Sequence, residues 1–279
     1  MKAITIGFHD VADGGRKLTS GDRPGIALYT LKVEDFREHL NAIRNSQASI
    51  STIHRFREWH GDLPVFLTFD DGALNGYTCV AGELEKHGWR GHFFITTDWI
   101  GRPGFMNARQ IRELHDRGHV IGSHSCSHPA RISQLNMDEM GMEWEKSKQI
   151  LSEIVGEPLK VASVPDGYFS PRVAQAAAAA GIEVLFNSEP TLAVLNVERC
   201  LVLGRYSIQR HMSPGVSGSI AAGHKLSRLR QSGFWALKKA VKALTGESYL
   251  AIRRHLIAHF METSTMPDQP TGSAPESKA

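Results

Sequence analysis

The chain has 279 residues, 41% of them hydrophobic and 22% charged, with a formal net charge of +3. This length suits one large domain or two small ones, and the composition excludes collagen-like, low-complexity and wholly disordered classes. The charge is too mild to argue for a nucleic-acid partner, and a chain of this size builds its core without metal or disulfide staples, so a metal site in it points to function.

The elements follow in chain order. Met1–Asp10 holds one lysine and a short apolar run, Ile4–Phe8, before His9 and Asp10. It reads as a first strand rather than a secretory leader. Val33–Asn45 has Phe36, Leu40 and Ile43 on one stripe and reads as an amphipathic helix. Pro64–Phe69 is near-continuously apolar, the pattern of a parallel strand buried on both faces. A helical stretch runs to Gly88, and Gly91–Thr97 is the next strand. Asn107 to Gln110 resembles a capping box and opens a helix ending at Gly118. His119–Ser123 is a short strand, Asn136–Val155 a long helix stopped by Gly156 and Pro158, and Lys160–Val164 a strand. Ser170-Pro171 fits an N-cap followed by an N1 proline, and the alanine-rich helix behind it stops at Gly181. Glu183–Phe186 and Cys200–Ile208 are the last strands expected.

Strand–helix units at this spacing imply an α/β fold of about six to eight parallel strands with crossover helices, as a barrel or an open doubly wound sheet. Residues 225–262 change character: eight Lys/Arg against two acids. Two helices are expected there, Ser227–Leu244 and Tyr249–Phe260, broken at Thr245-Gly246. They read either as a hairpin packed on the main domain or as a patch for a membrane surface or an acidic partner. The stretch from Ser264 is rich in Pro, Ser and Gly and reads as a disordered tail. The three cysteines, Cys79, Cys126 and Cys200, are odd in number and lack a C-x-x-C spacing, so reduced thiols are expected. No run of about 18 apolar residues is present to span a membrane. Cytoplasmic residence is expected, with any membrane contact peripheral, at the inner face through 226–262.

Two segments carry chemistry. Thr68-Phe-Asp-Asp-Gly72 ends an apolar strand. Adjacent buried carboxylates repel, and a bound cation would remove that cost; alone, D-D-G is also a common exposed turn. His124-Ser-Cys-Ser-His128 follows another short strand, and histidines four apart face one point if the segment is a helical turn. Cys126 would then point away, as a buried thiol rather than a ligand. Both segments sit at C-terminal strand ends, where α/β folds gather their active sites. One carboxylate and two imidazoles make a three-ligand hydrolytic metal centre, with the spare carboxylate as general base.

With these motifs in this order, the sequence resembles the polysaccharide deacetylase family, carbohydrate esterase family 4, whose domain is also called the NodB homology domain. The resemblance covers residues 1–211. It implies a distorted (β/α) barrel of about seven parallel strands, placed over 1–223; the composition adds a basic amphipathic helical extension over 224–262 and the tail over 263–279. It implies Asp71, His124 and His128 as metal ligands, with zinc the usual ion and cobalt, nickel or iron as variants. It implies Asp70 as the general base in hydrolysis of an N-acetyl amide on a sugar or polysaccharide.

The family's R-x-P-Y motif is altered to Ser163-Val-Pro-Asp-Gly-Tyr168, with Ser163 where an arginine usually braces the base. Arg205 or Arg210 is the candidate replacement. Asp166 or Gly167 is expected to offer an oxyanion N–H beside Pro165 and Tyr168. Glu189 is a weak match to the acidic fourth motif, and His211 is the candidate general acid. His9 either lines the site or caps its strand. Trp99 either stacks on a sugar or plugs the barrel mouth. The expected partner is an N-acetylated glycan of an exopolysaccharide or the cell envelope. The alternatives are a lipid-linked sugar that loses formyl or acetyl, and a catalytically weakened sugar-binding module prompted by Ser163.

Overall fold

Strands with apolar residues on both faces need cover on both faces, and the fold supplies it with helices on one side and its own curl on the other. The computed structural model describes residues 1–12 and 26–245. The chain enters through β1 (Ile4–Phe8) and β2 (Asp10–Ala12), then β3 (Thr30–Lys32), which runs straight into α1 (Val33–Asn45). Next come β4 (Val65–Phe69), a π-helical turn at Gly76–Val80 and α2 (Ala81–Glu85). The alternation continues as β5 (His92–Ile95), α3 (Ala108–Asp116), β6 (Val120–Ser123), α4 (Met137–Val155), β7 (Val161–Ser163), α5 (Pro171–Ala179) and β8 (Val184–Phe186). A hairpin of β9 (Val194–Val197) and β10 (Cys200–Leu203) follows, then β11 (Tyr206–Ser207), α6 (Pro214–Ala221) and α7 (Lys225–Thr245).

The main sheet has nine strands in the order β11-β1-β4-β5-β6-β7-β8-β10-β9. Every pair is parallel except β10–β9 at one edge. It is therefore the expected mostly parallel α/β sheet. Alternate residues along the strands separate two cores, as the two-residue strand period requires. Ile4, Ile6, Leu67, Phe93 and Val202 join the helices' Phe36, Leu40, Leu114, Trp144 and Val173 on one face. The intervening Phe66, Phe94, Val161, Phe186 and Leu201 form a smaller cluster with Ile53 and Phe56 on the other.

Local signals held where they were strong. Asn107 and Asn136 each form a reciprocal capping box, with Gln110 and Glu139 respectively. Ser170 accepts the Val173 N–H ahead of Pro171. The expected single strand Cys200–Ile208 is corrected. It splits at Gly204-Arg205 into β10, which pairs with β8, and β11, which pairs with β1 near the opposite edge of the sheet. The chain thus crosses the opening of the curled sheet between these strands. The short β2–β3 pair, the edge strand β9 and α6 have no counterpart among the expected elements. Each is too short, or too mixed in polarity, to give a periodic signal.

The compact unit that holds the sheet runs from Met1 to Leu237 and so takes in the first part of α7. The expected helix Tyr249–Phe260 and the tail 263–279 lie outside the described residues. Among the described residues, no helix is long and apolar enough to cross a membrane.

Gly204 makes the crossing possible. A Cβ there would lie 2.1 Å from the Glu189 carbonyl oxygen and 3.1 Å from the Thr191 backbone nitrogen. Backbone cannot yield as a flexible side chain does. Gly204→Ala is expected to lower the unfolding free energy by about 2 kcal/mol or more, read as a fall in the urea midpoint; an unchanged midpoint would show that the crossing has slack.

Candidate metal centre

Four strand ends and the crossing segment supply the site. Asp70 and Asp71 follow β4, Trp99 follows β5, His124 follows β6, Ser163 ends β7, and Arg205 lies between β10 and β11. All stand at the C-terminal edge of the parallel strands, where loops leave the hydrogen-bonded ladder and side chains can converge.

Asp71, His124 and His128 each offer a ligand atom, and these atoms all lie within 4.8 Å of one another. The Nε2 atoms of His124 and His128 are each 3.5 Å from Asp71 Oδ1. The two rings are 5.0 Å apart between centroids. One carboxylate and two imidazoles form a donor set suited to a divalent transition metal such as zinc. Burial pushes the His124 imidazole down to about 4, the nearby carboxylates only partly opposing this, so the ring is neutral near pH 7 as a metal ligand must be. Its Nδ1 lies 2.6 Å from Ser163 Oγ and 3.1 Å from the Ser163 carbonyl oxygen, an arrangement that orients Nε2 towards Asp71.

The histidines converge by a route other than a helical turn. Residues 124–128 form a loop in which Ser125 and His128 take positive φ, 65° and 57°. Asp71 does the same at 77°, ahead of Gly72 at 83°. Non-glycine residues in this region carry strain that the surroundings must hold. Here the hold is a hydrogen-bond clamp. Glu143, on α4, accepts the Cys126 and Ser127 N–H groups at 2.9 Å each through Oε2, and the Ser127 hydroxyl at 2.6 Å through Oε1. Ser125 Oγ accepts the His128 N–H, and Ser123 Oγ accepts the Ser125 N–H. Cys126 is buried, as expected, and its thiol donates to Asp98 rather than facing the ligand cluster.

Asp70 is nine-tenths or more buried beside this cluster. Its Oδ1 accepts from Arg205 Nη1 at 2.7 Å and from Ser163 Oγ at 3.1 Å. Burial by itself would raise its pKa; the Arg205 guanidinium, with smaller help from His124 and His9, overrides that and holds the carboxyl far below the usual carboxylate range. Arg205 is itself buried, donates through Nε to the Asn187 carbonyl at 2.9 Å and lies over the Phe94 ring. Arg205 is therefore the cation that braces Asp70 in place of an arginine at position 163. Arg210 instead sits exposed in the turn after β11. Ser163 bridges the two side chains, hydrogen-bonding to both Asp70 and His124.

The other expected residues divide. Trp99 stacks on His128 at 5.1 Å and packs against Phe105 at 5.0 Å, so one ring face already covers a histidine of the cluster. His9 stacks on Tyr29, and its Nδ1 lies 3.1 Å from the Phe8 carbonyl oxygen. Pro165, Asp166 and Gly167 form a 3-10 turn after β7, with Asp166 and Gly167 at positive φ. The Gly167 and Tyr168 N–H groups are engaged by the Val164 and Pro165 carbonyls. The Tyr168 ring stacks under the Arg131 guanidinium. Glu189 contributes backbone: its carbonyl accepts the Arg205 N–H at 3.0 Å. His211 is exposed in the turn after β11.

Glu143, Asn187 and Asp10 went unnoticed in the sequence. Asp10 is buried at the start of β2 and takes a hydrogen bond from Asn75. Burial pushes its carboxyl up, the Asn75 bond works against this, and the charge of Asp71 adds to the rise. No spacing joins these residues to the motifs; Arg205 is 135 positions from Asp70.

Residues 60–185 match the family model for polysaccharide deacetylase. Over these residues the chain is similar to the polysaccharide deacetylase family. The match holds both motif segments but not His9, Arg205 or His211. The chain is 27% identical over 156 residues to YxkH of Bacillus subtilis (strain 168), covering 56% of this chain and 53% of YxkH. It is 31% identical over 124 residues to the peptidoglycan-N-acetylmuramic acid deacetylase PdaA of the same organism, covering 44% of this chain and 45% of PdaA. The chain thus spans about half the length of these relatives. The Streptococcus pyogenes deacetylase PplD, solved in complex with acetate, shares the fold with a TM-score of 0.65 at 19% identity, over 77% of this chain and 95% of that one.

Two outcomes test the centre. Arg205→Met leaves Asp70 buried without its counter-charge and is expected to cost about 3–5 kcal/mol of stability in chemical denaturation; adding Asp70→Asn should restore most of it. Glu143→Ala removes the clamp from the 124–128 loop and is expected to weaken zinc affinity about 10–100-fold, measured by competition with a chelating dye, with little change in the unfolding midpoint.

Proposed function

We propose that this protein is a metal-dependent hydrolase that removes N-acetyl groups from an N-acetylated sugar or polysaccharide. The observation that carries the reading is the convergence of Asp71, His124 and His128 beside a buried, ionised Asp70. The donor set fits zinc, with cobalt, nickel or iron as alternatives. A divalent cation held there would supply Lewis-acid polarisation of the acetyl carbonyl and a water made acidic near neutral pH.

The chain's own residues supply the rest. Both hydrogen bonds named for Asp70 fall on Oδ1; Oδ2 is the oxygen that takes the proton from the attacking water. Arg205 and Ser163 fix that carboxylate's orientation and keep it ionised, so it is ready to accept. With the Gly167 and Tyr168 N–H groups engaged, the Asp166 N–H is the donor to the carbonyl oxygen as negative charge grows on it. His211 delivers a proton to the departing sugar amine from its exposed turn. His9 and Trp99 line the approach, Trp99 with its face away from His128.

The substrate class is a glycan of an exopolysaccharide or the cell envelope. The names of relatives, such as the peptidoglycan deacetylase PdaA, support a sugar amide. The idea of a decayed, sugar-binding barrel rested on the missing motif arginine, and the Arg205–Asp70 pair removes that motive.

Zinc- or cobalt-loaded protein is expected to release acetate from chitooligosaccharides or peptidoglycan fragments. Chelation should abolish the release and metal restore it, and Asp70→Asn should lower turnover about 10²–10⁴-fold. Sugar binding without acetate release, indifferent to Asp70→Asn, would overturn the reading.

A further inference from the structure

The feature that the proposed chemistry does not use is the outer face of α7. Among the described residues, four of the nine large apolar side chains that stand exposed fall within twelve positions of this helix: Leu226 at 78%, Leu229 at 64%, Phe234 at 65% and Leu237 at 63%. Their spacing of three, five and three puts them on one stripe of a 3.6-residue helix. The opposite face holds the helix to the protein. Gln231 Nε2 donates to the Ser207 carbonyl and Ser232 Oγ to the Pro190 carbonyl. The Trp235 ring comes within 3.5 Å of where a Cβ on Gly167 would stand. The stripe is thus left outward because the inner face is already occupied.

Charge says what the stripe fits. Between 225 and 245 the sequence has Lys225, Arg228, Arg230, Lys238, Lys239 and Lys242, and no acidic residue. Lys225 and Arg230 are exposed beside the apolar side chains. A basic helix whose exposed face sets leucines and a phenylalanine among cationic side chains is the composition of a segment that lies in the headgroup region of an anionic bilayer, with those apolar side chains in the acyl boundary. A partner helix in a protein would have to bury these cations or match each with an acid.

Position adds a consequence. Ser207, Pro190 and Gly167 belong to segments at or just after the C-terminal ends of β11, β8 and β7. That is the edge of the sheet that carries the Asp71–His124–His128 cluster. We infer that residues 225–237 of α7 are a docking surface for an anionic lipid bilayer, holding the catalytic edge of the protein against substrates borne on or beside that membrane. The surface stands on its own; the link to a membrane-borne substrate rests on the hydrolase reading above.

The test is cosedimentation of the full chain with vesicles of phosphatidylcholine alone or mixed with phosphatidylglycerol. Binding is expected to the anionic vesicles only and to fall as salt is raised. Phe234→Asp should cut the partition coefficient at least about tenfold, and Lys225→Gln with Arg230→Gln should weaken binding without abolishing it. Circular dichroism checks the fold of each variant, so the result holds whether or not acetate release is found. With activity present, Phe234→Asp should leave hydrolysis of a soluble oligosaccharide unchanged. Failure to bind anionic vesicles, binding indifferent to Phe234→Asp, or a dimer that Phe234→Asp dissociates while vesicles are ignored would each overturn the proposal.

Discussion

Two neighbouring carboxylates are buried at the end of one strand, and the architecture of the site follows from how their charges are met. Asp70 and Asp71 are both at least nine-tenths buried. Like charges this close, out of water, cannot both stay ionised unless each finds positive charge or strong donors. The fold meets them separately. Asp70 has a guanidinium fixed in the protein; Asp71 has the imidazoles of His124 and His128 beside it, a donor set suited to a divalent ion. A permanent cation beside one and a pair of imidazoles beside the other give the two carboxylates of a single dipeptide different surroundings.

That division depends on the crossing of the chain from β10 to β11. A strand that continued unbroken through 200–208 would carry position 205 along one edge of the sheet. Because Gly204 lets the backbone turn against the Glu189 carbonyl, Arg205 enters the interior from the crossing segment between β10 and β11. The guanidinium then has the Asn187 carbonyl, the Phe94 ring and Asp70 as partners. Ser163 closes the network by touching both Asp70 and His124. A small hydroxyl at 163 leaves room for an arginine arriving from elsewhere, so the altered motif and the relocated cation are two parts of one packing solution.

The loop that brings in the second histidine shows how strain is kept. Three residues at or between the ligands, Asp71, Ser125 and His128, adopt positive φ without being glycine. Such conformations persist where surrounding bonds over-determine them. Glu143 does this from α4, a long helix whose position is set by Trp144, Met140 and Leu151 in the core. The helix layer therefore reaches the site chemically as well as mechanically, one side chain inward for packing and its neighbour in sequence turned to the loop.

The sequence by itself determined the elements whose signals are local. Capping boxes at Asn107 and Asn136, the apolar run before Asp70 and the order of the two motif segments depend on neighbours within a few residues, so they are legible one window at a time. The clustering of Asp71, His124 and His128 was legible for the same reason, since each motif follows its own strand. Tertiary structure alone decided which cation serves Asp70, how residues 124–128 bend, and where the 200–208 segment breaks. Those outcomes turn on contacts between residues far apart in the chain, such as Arg205 with Asp70 and Glu143 with Ser127. Packing sets such contacts once the sheet has curled, and no periodicity or spacing along the chain encodes them.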